Sequence, residues 1–182
     1  MMHVVTGGSA SGKSAFAEGL VMERTAPERY YIATMRPWGE EGRARVEKHR
    51  RMRAEKRFIT VECYRDLEQV QLGPSCGRKD RVVLLECISN LTANEQFEAG
   101  GTDAEILGRM ERGIRHLQAQ AEDLIVVTNE IFSDGCSYEP ETLRYIRLLG
   151  SMNVRLSEMA DRVTEVVYGI PVQVKLQKRG NH

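Results

Sequence analysis

Gly7-Gly8-Ser9-Ala10-Ser11-Gly12-Lys13-Ser14 decides the fold of this 182-residue chain. It fits the pattern G-x-x-x-x-G-K-[ST], with a β-branched run, His3 to Thr6, before it and an amphipathic stretch, Lys13 to Arg24, after it. In that strand–loop–helix setting the motif is a P-loop: glycines fold the backbone tightly around an anion, and the helix N-terminus adds partial positive charge. Lys13 is expected to reach the β- and γ-phosphates of a nucleoside triphosphate, and the Ser14 hydroxyl to ligate Mg2+. Phe16, Leu20 and Met22 are read as the apolar side of the helix.

Outward from the cradle, strands and helices alternate, as in an α/β fold with a mostly parallel twisted sheet flanked by helices. Tyr30 to Thr34 and Phe58 to Cys63 read as strands, with a charged helix from about Gly39 to Lys56 between them. Gly73 to Gly77 reads as a surface turn. Arg81 to Glu86 and Leu124 to Thr128 are apolar enough for strands covered on both faces. Thr102-Asp103-Ala104-Glu105 has the form of a capping box and opens a helix to about Glu122. Pro140 introduces another helix, to about Ala160. Arg162 to Tyr168 and Val172 to Lys175 are separated only by Gly169-Ile170-Pro171. That spacing is too short for a crossover and predicts a C-terminal antiparallel strand pair. Residues 1–182 are expected to form a single nucleotide-binding domain, with a frayed tail over 177–182.

Lysine plus arginine equal aspartate plus glutamate, so the net charge is zero, which removes a global attraction to nucleic acid or an anionic membrane. No apolar run approaches the roughly 20 residues that span a bilayer, and the stretch Met1 to Thr6 is expected to enter a strand directly rather than to serve as a basic or cleavable leader. Cys63, Cys76, Cys87 and Cys136 form no CxxC pair and read as small buried hydrophobes. The expectation is a cytoplasmic protein.

A P-loop site needs a carboxylate to orient the metal and its water, usually from the end of another buried strand. Glu86 closes its apolar run directly and is preferred; Glu130, after Val127-Thr128-Asn129, is the second candidate. In the arginine-rich stretch from Gly42 to Arg53, a helix would put Arg45, His49 and Arg53 on one face. Flanking guanidiniums disfavour the charged imidazole, and a neutral one can attack phosphorus. Residue type alone nevertheless fits a solvated charged face better. His3, His116 and His182 have weaker claims. On the residues alone, a kinase acting on a small hydroxyl substrate and a GTP-binding module without transfer chemistry both stand.

Val5-Thr6-Gly7-Gly8 with Ser11-Gly12-Lys13-Ser14, then Tyr31-Ile32-Ala33-Thr34, then Arg45-Val46 with His49-Arg50 and Arg53, resemble the bifunctional adenosylcobinamide kinase / adenosylcobinamide-phosphate guanylyltransferase family. Leu84 to Ser89, Val127 to Glu130, Arg147 with Gly150 and Asn153, Ala160 to Val163 and Gly169 to Lys175 continue the resemblance over nearly the whole chain. The resemblance implies a recombinase-like P-loop NTPase core and two reactions of cobalamin biosynthesis. In the first, adenosylcobinamide is phosphorylated by GTP or ATP. In the second, GMP passes from GTP to that phosphate through a guanylylated histidine, which by motif position is His49. It also implies that Thr34, Met35, Arg36, Arg50, Arg51, Met52, Arg53, Glu62 and Glu86 line the nucleotide site, and that the chain forms a homo-oligomer, a trimer. The chain departs from the family pattern at Ala10, usually arginine. It also lacks an expected aspartate within Met35 to Glu41, and differs from Ile131 to Pro140, a loop placed to shape the corrinoid site.

Overall fold

The computed structural model describes residues 1–37, 39, 40, 47, 56–73, 77–131 and 138–176. Its strands are β1 (Met2–Thr6), β2 (Glu28–Ala33), β3 (Ile59–Glu62), β4 (Arg81–Glu86), β5 (Asp123–Val127), β6 (Arg162–Val167) and β7 (Ile170–Leu176). Its helices are α1 (Lys13–Met22), α2 (Ile88–Asn94), α3 (Asp103–Gln120) and α4 (Pro140–Met159). A π-helical turn, Glu95–Ala99, continues α2.

The strands form one seven-stranded sheet in the order β3-β2-β4-β5-β1-β6-β7. Every neighbouring pair is parallel except β6 and β7, which pair antiparallel. Parallel strands need covered faces, and each central strand splits its residues between two cores. Val4, Ile32, Val83, Leu85 and Val126 pack under α2, α3 and α4 with Ile88, Ile114, Leu117 and Met152. Val5, Tyr31, Val82, Leu84, Ile125 and Val127 face the opposite way, under α1. This two-sided burial is why β4 and β5 read as unbroken apolar runs.

The start of α3 follows its sequence signal. The Thr102 hydroxyl accepts from the Glu105 amide, and the Glu105 carboxylate accepts from the Thr102 amide at 2.8 Å. The helix stops at Gln120 rather than Glu122, because the Glu122 amide is drawn into the sheet, donating to the Arg81 carbonyl at 3.1 Å.

Three expectations change. Helix α1 buries Ala17 and Val21; Phe16 and Leu20 are only partly covered, and Met22 is exposed. Lys13, Ala17 and Val21 repeat every four residues, so the face that brings Lys13 inward also selects the residues packed on the sheet. The link between β6 and β7 is the pair Tyr168-Gly169, both at positive φ (50° and 80°), as a tight antiparallel hairpin requires. Ile170 and Pro171 therefore belong to β7, and the proline is tolerated because β7 is an edge strand. Helix α2 has no counterpart in the sequence reading: seven residues, Ile-Ser-Asn-Leu-Thr-Ala-Asn, are too few to show a helical period.

Of the expected charged helix, only Gly39, Glu40, Glu47 and Lys56 are among the described residues. Residues 74–76 of the expected turn, with Cys76, lie outside them, as do Cys136 and the tail 177–182. Cys87 is buried and Cys63 half-buried, both as free thiols.

His3, in β1, is 4% exposed, with Nε2 2.8 Å from the Thr164 hydroxyl. Burial, reinforced by Arg162 and Arg24 and opposed by Asp123, lowers its pKa to about 4. Below pH 6.5 the unfolded chain binds a proton at His3 that the folded chain refuses until about pH 4. Stability is therefore complete above pH 6.5 and falls as the pH drops toward 4, by on the order of 3 kcal/mol. Urea unfolding across pH 4–7 is expected to show this slope, and His3→Gln to flatten it.

Candidate functional site

The carboxyl ends of β1, β4 and β5 meet at one edge of the sheet, where ligands enter open α/β folds. There Gly7 leaves β1 at φ +153° and Gly12 caps α1 at φ +92°. A Cβ on Gly7 would lie 2.5 Å from the Val166 carbonyl oxygen of β6, so only glycine lets the loop pass this close. The loop is tied on both sides. The Glu130 amide, just after β5, donates to the Gly7 carbonyl at 3.1 Å, and the Gly169 amide of the hairpin donates to the Ser11 carbonyl at 2.8 Å.

Lys13 is 9% exposed, and its ammonium folds back to donate to the Gly8 carbonyl at 3.0 Å. Burial lowers its pKa, while the neighbouring Cys87 and Glu86 act in the opposite sense. The cation is thus stored inside the cradle, and phosphate oxygens would offer it a stronger acceptor than a neutral carbonyl.

Glu86 projects from the end of β4, separated from β1 by β5, and still reaches the first turn of α1. The Ser14 hydroxyl donates to its Oε1 at 2.5 Å. Its Oε2 accepts the Tyr31 hydroxyl at 2.9 Å. Of the two acids expected to serve the metal, Glu86 is the one on Ser14, whereas Glu130 closes the loop through its backbone. A serine hydroxyl and a carboxylate side by side are hard oxygen donors, the set Mg2+ takes when it keeps water and substrate phosphates as its other ligands. The residues fit that ion.

At the β2 and β3 ends the structure places Thr34, Met35, Arg36 and Glu62 on a neighbouring stretch of the same edge. Thr34 is fully buried; its hydroxyl donates to the Cys87 carbonyl at 2.8 Å and accepts the Cys87 amide at 2.7 Å. It joins the end of β2 to the end of β4. Met35 is half-buried. Exposed Arg36 pairs with Glu98 at 2.6 Å and lies over the Tyr64 ring, 5.6 Å from its centroid. The Tyr64 hydroxyl donates to Glu62 at 2.7 Å. Asn94 bridges the strands, donating to the carbonyls of Thr34 (2.9 Å) and Tyr64 (2.8 Å). Arg36, Glu62 and Tyr64 thus form one polar cluster. His49, Arg50, Arg51, Met52 and Arg53 lie outside the described residues, as do 132–137 of the divergent loop.

Three contributors escaped the sequence reading. Tyr31 looked like any aromatic in a strand, because its partner depends on β2 lying beside β4. The β6–β7 hairpin walls a cleft of about 460 Å³ between Gly8–Ser11 and Glu165–Tyr168. Behind β5, Asn129 donates to the Ser89 hydroxyl (2.6 Å), and the Asn129 carbonyl accepts from Asn153 (3.2 Å), which also takes the Thr128 hydroxyl (2.6 Å). The polar run Thr128-Asn129 directly after an apolar strand was the available signal for that network.

The family model described as cobinamide kinase / cobinamide phosphate guanyltransferase matches residues 3–174. The chain belongs to this family. Two curated relatives carry the description bifunctional adenosylcobalamin biosynthesis protein CobU. The one from Salmonella typhimurium is 36% identical over 192 residues, and the one from Escherichia coli is 33% identical over 192 residues. Each alignment covers 96% of this chain and the whole of the relative. More distant solved structures share the fold. One, an ATPase domain, has a TM-score of 0.56 at 10% identity, covering 97% of this chain and 77% of that one. The flagellar accessory protein FlaH from Methanocaldococcus jannaschii has a TM-score of 0.51 at 13% identity, covering 96% and 78%.

In this family member the tight passage of Gly7 under β6 gives a direct contrast with its neighbour. Gly7→Ala is expected to cost about 1–3 kcal/mol of stability and to abolish GTP binding, since the clash is with backbone. A Cβ on Gly8 meets nothing within 4 Å, so Gly8→Ala is expected to fold with the wild-type unfolding midpoint. Denaturant titration and fluorescent-nucleotide binding check both.

Proposed function

We infer that the chain is one cytoplasmic nucleotide-binding domain that carries out both reactions named for its family. It phosphorylates adenosylcobinamide with GTP or ATP, and then converts the product with GTP to adenosylcobinamide-GDP. The observation that carries this reading is the complete Lys13–Ser14–Glu86 group on the cradle of a chain that matches the family from residue 3 to residue 174.

In the kinase step the aminopropanol hydroxyl oxygen of the corrinoid attacks the γ-phosphorus. The new O–P bond forms as the bond to the β–γ bridging oxygen breaks, leaving a nucleoside diphosphate, and the hydroxyl proton is released to solvent. The amides of Gly8 to Ser14 hold the triphosphate, and Lys13 exchanges its contact with the Gly8 carbonyl for the β- and γ-phosphate oxygens. Ser14 and Glu86 would hold Mg2+, which when bound supplies neutralisation of the phosphate charge. In the transfer step the neutral His49 imidazole attacks the α-phosphorus of GTP and pyrophosphate leaves. A phosphate oxygen of the corrinoid product then displaces the imidazole, which is regenerated. Arg50, Arg51 and Arg53 neutralise charge on the transferring group, and Thr34, Met35, Arg36, Met52 and Glu62 belong to the nucleotide site.

The expected partners are corrinoid and nucleotide, with no nucleic acid. No described helix is long and apolar enough to cross a membrane. A homotrimer is the proposed assembly, supported by the exposed apolar residues of edge strand β7: Ile170 at 65%, Val174 at 62% and Leu176 at 55%. Light scattering is expected to give three times the chain mass, reduced by Val174→Lys.

GTP labelled at the α- or the γ-phosphate tests the chemistry. Acid-labile, alkali-stable α-label is expected on the wild-type protein and none on His49→Ala, with γ-label reaching cobinamide. If γ-label moves and α-label never does, the chain is a kinase only. If GTP binds and neither label moves, it is a binding module.

A further inference from the structure

We propose that Tyr31 is a positioning residue that fixes the Glu86 carboxylate for the metal-nucleotide complex. The inference rests on the reading that Glu86 helps to hold Mg2+, and goes beyond it by assigning the residue that orients it.

Tyr31 lies in the middle of β2 and is 4% exposed. It points into the core beneath α1, among Val5, Ala17, Val21, Leu84 and Val127. Its ring meets Phe58 edge-on, with centroids 5.8 Å apart at 76°. Phenylalanine would satisfy every one of these apolar contacts. A hydroxyl in such surroundings costs free energy unless it is bonded, so its presence calls for a partner. The hydroxyl donates to Glu86 Oε2, at 2.9 Å.

Both carboxylate oxygens of Glu86 are thereby engaged, Oε2 by Tyr31 and Oε1 by Ser14. The two donors come from different elements: β2, which pairs with β4, and α1, which packs over the face of the sheet that Tyr31 enters. If Ser14 turns toward the metal, the Tyr31 hydroxyl is the hydrogen-bond donor among the described residues that still restrains the carboxylate plane. Without it, the terminal torsion of glutamate is broad and the carboxylate samples orientations that do not serve the ion. Orientation of a metal-side carboxylate by an outer hydrogen bond is a general way of raising effective affinity, and loss of such a partner typically costs about 10- to 100-fold.

Tyr30, the next residue, is an internal comparison. It faces the other core; its hydroxyl donates to Glu28 at 3.1 Å and accepts the Gly73 amide at 3.1 Å, at the opposite end of the strand. Its hydrogen bonds tie β2 to the stretch before β4 and touch nothing of the phosphate site.

The test is Mg2+-dependent binding of a fluorescent GTP analogue to wild type, Tyr31→Phe, Tyr30→Phe and Glu86→Gln, with unfolding midpoints measured alongside. In Tyr31→Phe the half-saturating Mg2+ concentration is expected to rise about tenfold. Nucleotide binding without added Mg2+ and the unfolding midpoint should stay at wild-type values. Tyr30→Phe should keep the wild-type Mg2+ dependence. Wild-type Mg2+ dependence in Tyr31→Phe, with a raised requirement in Glu86→Gln, overturns the role of Tyr31 and leaves that of Glu86 standing. Wild-type Mg2+ dependence in Glu86→Gln as well overturns both. A Tyr31→Phe protein that loses Mg2+-free nucleotide binding or stability overturns the inference too, because the hydroxyl then serves the fold.

Discussion

The phosphate loop has to run within backbone contact of β6, and much of the structure is arranged around that constraint. Gly7 passes under the Val166 carbonyl where no side chain fits. The Glu130 amide holds its carbonyl from the β5 side, and Gly169 holds Ser11 from the hairpin side. A loop tied at two points and hemmed in at a third is restrained before any ligand binds, so little ordering is left for the nucleotide to impose. The same clamp sets the direction of α1. It brings Lys13 inward, which in turn makes Ala17 and Val21, rather than the larger Phe16 and Leu20, the residues that seat the helix on the sheet.

Electrostatically, the centre of the site is a cation and an anion held near each other without a direct ion pair among the described contacts. Lys13 rests on the Gly8 carbonyl, and Glu86 accepts from Ser14 and Tyr31. Each group is left for the ligand: Lys13 for phosphate oxygens, Glu86 for a divalent ion and its water. A tight salt bridge between them would have to be broken on binding, at the cost of a partly buried pair. Hydrogen bonds to neutral partners keep both groups in place and exchange more easily.

A second polar cluster, Arg36, Glu62 and Tyr64, occupies the β2–β3 end of the same edge. Thr34 and Asn94 lock that end to β4 and α2 through backbone carbonyls and amides. Thr34 thus serves the frame with its side chain, even though it sits within the stretch expected to line the nucleotide. One sheet edge therefore carries two polar clusters, compatible with a domain that handles a nucleotide in two reactions.

The local signals in the chain were strong where chemistry is local. The eight residues from Gly7 to Ser14, the Thr102–Glu105 capping box, Pro140 at the start of α4 and the unbroken apolar runs of β4 and β5 each dictate a backbone state through contacts a few residues apart. They sufficed for an α/β P-loop chain and for naming Lys13, Ser14 and Glu86 as its candidate residues, of which Ser14 and Glu86 meet in the fold. Strand order is a different matter, because it depends on which of several apolar edges pair, and no short stretch encodes that. Only the order β2-β4-β5-β1 brings Tyr31 to Glu86 and Glu86 to Ser14, residues 55 and 72 positions apart. The buried neutral state of His3, the face on which α1 packs and the hairpin wall beside the loop are decided in the same way. They are properties of neighbours that meet only once the sheet has closed around them.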